Sequence, residues 1–140
     1  LELEITEGVM LQDDAKLLER LCALRSLGLS IAIDDFGTGY SSLSYLKRLP
    51  ATALKIDQSF IREMAEGDEN MRLVRSMIGI ARDFGLSVVA EGVETDAQLA
   101  ILSDLGCDYA QGYGIARPLA PDAFTAFLDD ADARPQRALA

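Results

Sequence analysis

The residues that could do chemistry in this chain sit at the ends of short β-rich runs: Glu4, the pair Asp34-Asp35, Lys55, Glu91 and Gln111. Four carboxylates beside one lysine form a hard-donor set. A charge inside a protein is disfavoured unless it is paired or bound to metal. All-oxygen ligands favour Mg²⁺ or Mn²⁺ over zinc. Two such ions about 4 Å apart could clamp the attacking and leaving oxygens of a phosphoryl transfer. A lysine in the same place would add positive charge beside the attacked phosphate. The plainer alternative is a solvated acidic rim that holds no ion.

Composition narrows the choice. The chain has 140 residues, 13 basic and 23 acidic, for a net charge of −10, and it contains no histidine. Histidine acid/base chemistry and imidazole zinc sites are therefore excluded. A hydrophobic share of 49% excludes a wholly disordered chain. The acidity argues against DNA or RNA as a polymeric partner, which would need a basic face. Cys22 and Cys107 read as reduced and buried, since one pair of cysteines is weak evidence for an oxidising compartment. No apolar run approaches the roughly 20 residues of a membrane span, and no basic-then-apolar leader opens the sequence. The sequence opens at Leu1, inside a strand-like pattern, as a fragment of a larger protein would.

The elements that must position these residues repeat. Strand patterns are expected over 1–6, 30–34, 53–57, 86–91 and 108–111. Helices are expected over 14–26, 42–49, 68–84, from a Thr95 cap to 105, and over 121–129. Thr95 with Gln98 forms a capping box, and Gly28, Gly85 and Gly106 mark helix ends. Residues 131–140 read as a frayed tail, leaving 1–130 as one domain. The pattern is βα five times over, which calls for a parallel sheet covered by helices. Gly28-Leu29-Ser30-Ile31-Ala32-Ile33-Asp34 also echoes Gly85-Leu86-Ser87-Val88-Val89-Ala90-Glu91, with a carboxylate at the same offset.

Side-chain alternation gives that offset a meaning. Leu3, Ile5, Ile31, Ile33, Leu54, Ile56, Val88 and Ala90 share the face that must meet the helices. Glu4, Asp34, Lys55, Glu91 and Gln111 fall on the other face, near the C-terminal ends of their strands. In a closed barrel that face is the interior and that end is the active-site mouth.

Five motifs then carry a resemblance. Glu4-Ile5-Thr6-Glu7, Asp34-Asp35-Phe36-Gly37-Thr38-Gly39-Tyr40-Ser41-Ser42-Leu43, Leu54-Lys55-Ile56-Asp57, Ala90-Glu91-Gly92-Val93-Glu94 and Gln111-Gly112-Tyr113 occur in this order. Together they resemble the successive signatures of the EAL domain, a family that hydrolyses the bacterial second messenger cyclic di-GMP to linear pGpG. The resemblance runs from residue 1 to about 118. It implies a (β/α)₈ TIM-like barrel whose first strand is antiparallel, of which this chain supplies five C-terminal βα units. It implies two Mg²⁺ or Mn²⁺ ions, with Glu4, Asp34, Asp35 and Glu91 as metal partners. Glu91 would also be the general base, and Lys55 would orient and help activate the water. Gln111 would hold water or substrate. Glu7 would anchor the loop after Asp35, which couples metal binding to homodimer formation. Glu94 and Asp57 would be accessory residues. The family's intracellular nucleotide, with the lack of a leader or apolar span in this sequence, leads to the expectation of a cytoplasmic protein, whose parent could still be tethered to a membrane through other regions.

The EAL motif itself, with its glutamate, and a further asparagine ligand would lie upstream of Glu4. A barrel of this kind needs about 250 residues, so the expectation is an inactive, self-associating fragment of an active parent. Two other readings stay open. One is an EAL module that binds cyclic di-GMP or a protein partner without cleaving the nucleotide. The other is a different barrel enzyme that uses carboxylates, Mg²⁺ and a lysine to abstract a proton next to a carboxylate.

Overall fold

The computed structural model describes residues 1–6, 8, 15–39, 43–65 and 67–133. Its strands are β1 (Glu2–Thr6), β2 (Ser30–Phe36), β3 (Ala53–Ile56), β4 (Ser87–Glu91) and β5 (Tyr109–Gln111). Its helices are α1 (Ala15–Ser26), α2 (Leu43–Leu46), α3 (Gln58–Met64), α4 (Asp68–Asp83), α5 (Asp96–Leu105) and α6 (Pro121–Ala133). The strands form one sheet in the order β1-β2-β3-β4-β5, and every pair is parallel. Sequential order with helical crossovers is what repeated βα units dictate. The antiparallel strand implied by the family resemblance is not among these five. No described helix is long and apolar enough to cross a membrane.

The expected alternation holds. Ile31, Ile33, Leu54, Ile56, Val88 and Ala90 are buried and share one core with Leu21, Ile61, Val74, Ile78 and Leu102 from the helices. The lower end of the sheet is tied by short polar side chains. Thr52 Oγ1 accepts from Ile31 N, Ser87 Oγ donates to Thr52 O, and Asp108 Oδ2 accepts from Val88 N. The opposite, C-terminal end is left for the residues that carry chemistry.

Five expectations need correction. The third unit contains an additional helix, α3, where no helix was expected. Its signal was Asp57, which ends the strand pattern and caps the helix by accepting from Ser59 N. The helix expected over 42–49 is only Leu43–Leu46. Its continuation tightens into i→i+3 bonds, Arg48 N to Tyr45 O and Leu49 N to Leu46 O, before Pro50 stops it. Strand β2 runs two residues beyond Asp34, to Phe36, across a register shift. Cys22 is free but exposed, because it lies one residue past the buried Leu21, about 100° round α1. Cys107 is free and buried as expected, and burial pushes its thiol up to about 11. Helix α6 continues to Ala133, three residues into the stretch read as a tail, and 134–140 lie outside the described residues.

The segments leaving β4 and β5 touch through backbone. Val93 N donates to Gln111 O at 3.0 Å, and Gly114 N donates to Val93 O at 2.9 Å. A Cβ on Gly112 would lie 2.2 Å from Val93 O and 2.3 Å from Val93 N, so only glycine permits the approach. Gly79, inside α4, has nothing within 4 Å of its Cβ position. We expect Gly112→Ala to lower the stability of the purified protein by about 1–3 kcal/mol. Gly79→Ala should raise it by about 0.5–1 kcal/mol through helix propensity. Urea denaturation of the two variants beside the unsubstituted protein checks both signs.

Candidate functional site

Lys55 lies on the central strand β3, and its side chain is only 8% exposed. Its Nζ meets Glu4 Oε1 at 2.7 Å, Glu91 Oε1 at 2.7 Å and Asp34 Oδ1 at 3.1 Å. Glu4 stands two strands away on β1. Between them, the same face of β2 carries Ala32, in register with Glu4 and Ala53. Burial by itself pushes the Lys55 ammonium down, but its contacts with Glu4, Glu91 and Asp34 push it up by more. The net result lies above its ordinary 10.5. Its stabilising contribution is therefore whole below pH 10.5 and is lost only as the pH climbs above that. At neutral pH Lys55 is a fixed positive charge and a proton donor, not a base.

Asp35 reaches the same place by a different route. Strict alternation would send it to the helix side, opposite Asp34. The register shift between Ile33 and Phe36 puts one extra residue in β2, and Asp35 adopts a left-handed φ of 55°. The bulge re-aims the chain. Phe36, aligned with Ile56, returns to the helix-facing core, while Asp34 and Asp35 each offer an oxygen within 4.8 Å of one from Glu91. A left-handed non-glycine residue stores strain, as functional sites often do.

This donor set fits a hard divalent cation. Asp34, Asp35 and Glu91 supply only oxygens. The buried Asp34 Oδ1 has Lys55 Nζ nearby but no donor aligned on it as a hydrogen bond. A buried carboxylate oxygen without a hydrogen bond calls for another partner, and a Mg²⁺-type ion is one such partner. Asp34, Asp35 and Glu91 are the residues placed to hold such an ion, and Glu4 joins the group through its contact with Lys55 Nζ.

The remaining candidates are spread more widely. Gln111 stands at the end of β5 in register with Glu91 and lines a pocket of 370 Å³ with Tyr113, Arg117, Phe124 and Phe127. There the Arg117 guanidinium stacks 4.4 Å from the Tyr113 ring centre. The Asp57 carboxylate is engaged at the α3 cap with the backbone N and hydroxyl of Ser59. Burial raises its pKa, but these hydrogen bonds, a further one from the Gln58 backbone and the Arg62 charge together lower it by more. Glu94 is exposed in the segment after β4, with its backbone N–H donating to Gln98 Oε1 at 2.8 Å. Glu7 and residues 40–42 lie outside the described residues.

Comparison with known proteins identifies the family of the chain. Residues 1–118 match the family model of the EAL domain. The cyclic di-GMP phosphodiesterase NbdA of Pseudomonas aeruginosa is 48% identical over 128 residues, which cover 91% of this chain and 16% of NbdA. The solved PaMucR phosphodiesterase, in complex with c-di-GMP, superposes with a TM-score of 0.83 at 46% identity, over 89% of this chain and 50% of that one. The EAL domain of Mycobacterium smegmatis DcpA gives a TM-score of 0.84 at 43% identity, over 92% of this chain and 58% of that one. The chain thus spans about half the length of these solved structures and about a sixth of NbdA. Its five-stranded parallel sheet is part of a (β/α)₈-type barrel, and the chain belongs to the EAL domain family.

Proposed function

We propose that this chain is the C-terminal part of an EAL domain that hydrolyses cyclic di-GMP to linear pGpG with the help of divalent cations. The observation that carries the reading is the convergence of Glu4, Asp34 and Glu91 on Lys55 Nζ, with Asp35 turned into the same rim by the bulge. Supporting it, NbdA is a cyclic di-GMP phosphodiesterase and the PaMucR phosphodiesterase is known in a c-di-GMP complex. Bound Mg²⁺ or Mn²⁺ ions supply Lewis acidity and positive charge at the phosphodiester. Glu4, Asp34, Asp35 and Glu91 hold these ions. Glu91 also accepts the proton of the attacking water, and Lys55 orients that water while adding its fixed charge at the phosphate. Gln111 holds water or substrate at the edge of the rim. Glu7 anchors the loop after Asp35, Asp57 holds α3 in place behind Lys55, and Glu94 serves substrate at the mouth. The active form is a homodimer in the cytoplasm, and the 140-residue segment alone does not turn over substrate.

The reading is tested on the full-length protein with Mg²⁺ or Mn²⁺. Glu91→Gln should lower kcat about 10²- to 10⁴-fold while the protein stays folded. Turnover unchanged in that variant sinks the assignment of Glu91. Tight cyclic di-GMP binding with no turnover by the unsubstituted protein transfers the domain to the non-cleaving binding class.

A second expectation concerns Lys55. Lys55→Met leaves three carboxylates facing one another without their cation. Because Glu4 is half exposed, solvent softens the penalty, and we expect a loss of about 1–2 kcal/mol without divalent ions. Added Mg²⁺ or Mn²⁺ should restore part of it. Thermal denaturation with and without EDTA reads both effects, and a variant insensitive to metal contradicts the cation site.

A further inference from the structure

Gln98 is a polar side chain only 6% exposed, and its role as a helix cap does not account for all its contacts. A capping-box glutamine returns to the N-cap amide. Here Oε1 accepts from Thr95 N at 3.0 Å and also from Glu94 N at 2.8 Å. Nε2 donates in the other direction, to the Ile61 carbonyl of α3 at 3.3 Å. One side chain therefore joins two segments that leave neighbouring strands. Helix α3 is capped by Asp57, two residues after Lys55, and Glu94 follows Glu91 by three. Those strands meet above it, where Lys55 Nζ contacts Glu91 Oε1 at 2.7 Å.

The surroundings leave little slack. A Cβ on Gly92, whose φ is +68°, would lie 2.5 Å from the Gln58 Cβ of α3. The Val93 backbone is held from the far side by Gln111 O and Gly114 N. The segment after Glu91 is thus clamped to β5 by backbone and to α3 by Gln98.

We propose that Gln98 is a positioning residue: by linking α3 to the segment after β4, it sets the spacing of Lys55 and Glu91 and so the affinity of the carboxylate rim for a divalent cation. It touches neither ion nor substrate. The proposal rests on the reading that the rim holds such a cation.

Two variants of the full-length protein separate this role from capping. Gln98→Met removes both halves of the link. Gln98→Glu keeps an acceptor for the two amides, as glutamate does in capping boxes, but loses the donor to Ile61. The readouts are Mn²⁺ binding by titration, kcat and KM for cyclic di-GMP, and urea stability. Q98M should weaken Mn²⁺ binding about 10- to 100-fold, with kcat falling and KM nearly unmoved. Q98E should keep most of the stability yet still bind Mn²⁺ at least about threefold more weakly, because its cap is intact and its link is not. Q98E binding Mn²⁺ like the unsubstituted protein overturns the proposal, and it decides the matter even where Q98M fails to fold. Mn²⁺ binding without hydrolysis by the unsubstituted protein defeats the phosphodiesterase reading alone, leaving the Mn²⁺ comparison valid. Absence of Mn²⁺ binding by the unsubstituted protein overturns the proposal.

Discussion

A buried ammonium at the centre of a parallel sheet constrains everything near it. Taking Lys55 out of water is unfavourable by several kcal/mol unless oppositely charged groups surround it closely. Glu4, Asp34 and Glu91 meet that need from three other strands. Their convergence requires the register of β1 through β4 to be held. Three carboxylates on one lysine, with Asp35 alongside, also leave the rim richer in negative charge than Lys55 can balance. A structural ion pair would stop at neutrality. The surplus is what a divalent cation would balance in the proposed site.

The β2 bulge serves core and site at once. Without the extra residue, Asp35 would face the helices and Phe36 would face the rim. With it, Phe36 enters the core beside Ile56 and both aspartates stay on the polar side. The left-handed Asp35 is the local penalty, and the surrounding pairing of β2 with β1 and β3 holds it in place. The chemistry gathers at the C-terminal ends of the strands, where barrels of this type place it. The opposite end is closed by Thr52, Ser87 and Asp108. The net charge of −10 draws cations toward the molecule and repels a phosphodiester at long range. Binding of such a substrate must therefore come from local contacts and bound ions.

Much of this was legible in the residues. Period-two alternation identified the helix-facing and rim-facing sides of each strand, because a strand buried on one side must bury alternate residues. The helix over 68–84 and the Thr95–Gln98 box were readable because they are local, set by neighbours three or four positions apart. The order of five motifs was enough to indicate the family. Helix α3 was missed because the cap signal at Asp57 was assigned to the preceding strand. Cys22 was misplaced because burial depends on which way a helix rolls, not on residue type alone.

Sequence by itself therefore determined the five βα units, the sheet's two faces and the residues available for chemistry, since these follow from spacing along the chain. Tertiary structure alone decided three things. It brought Glu4 to Lys55 across an intervening strand, it turned Asp35 through a bulge that alternation cannot foresee, and it made Gln98 a link between two segments as well as a cap. Each joins residues far apart in the chain or departs from the regular period. Such contacts exist only once strand register and helix packing have been set together.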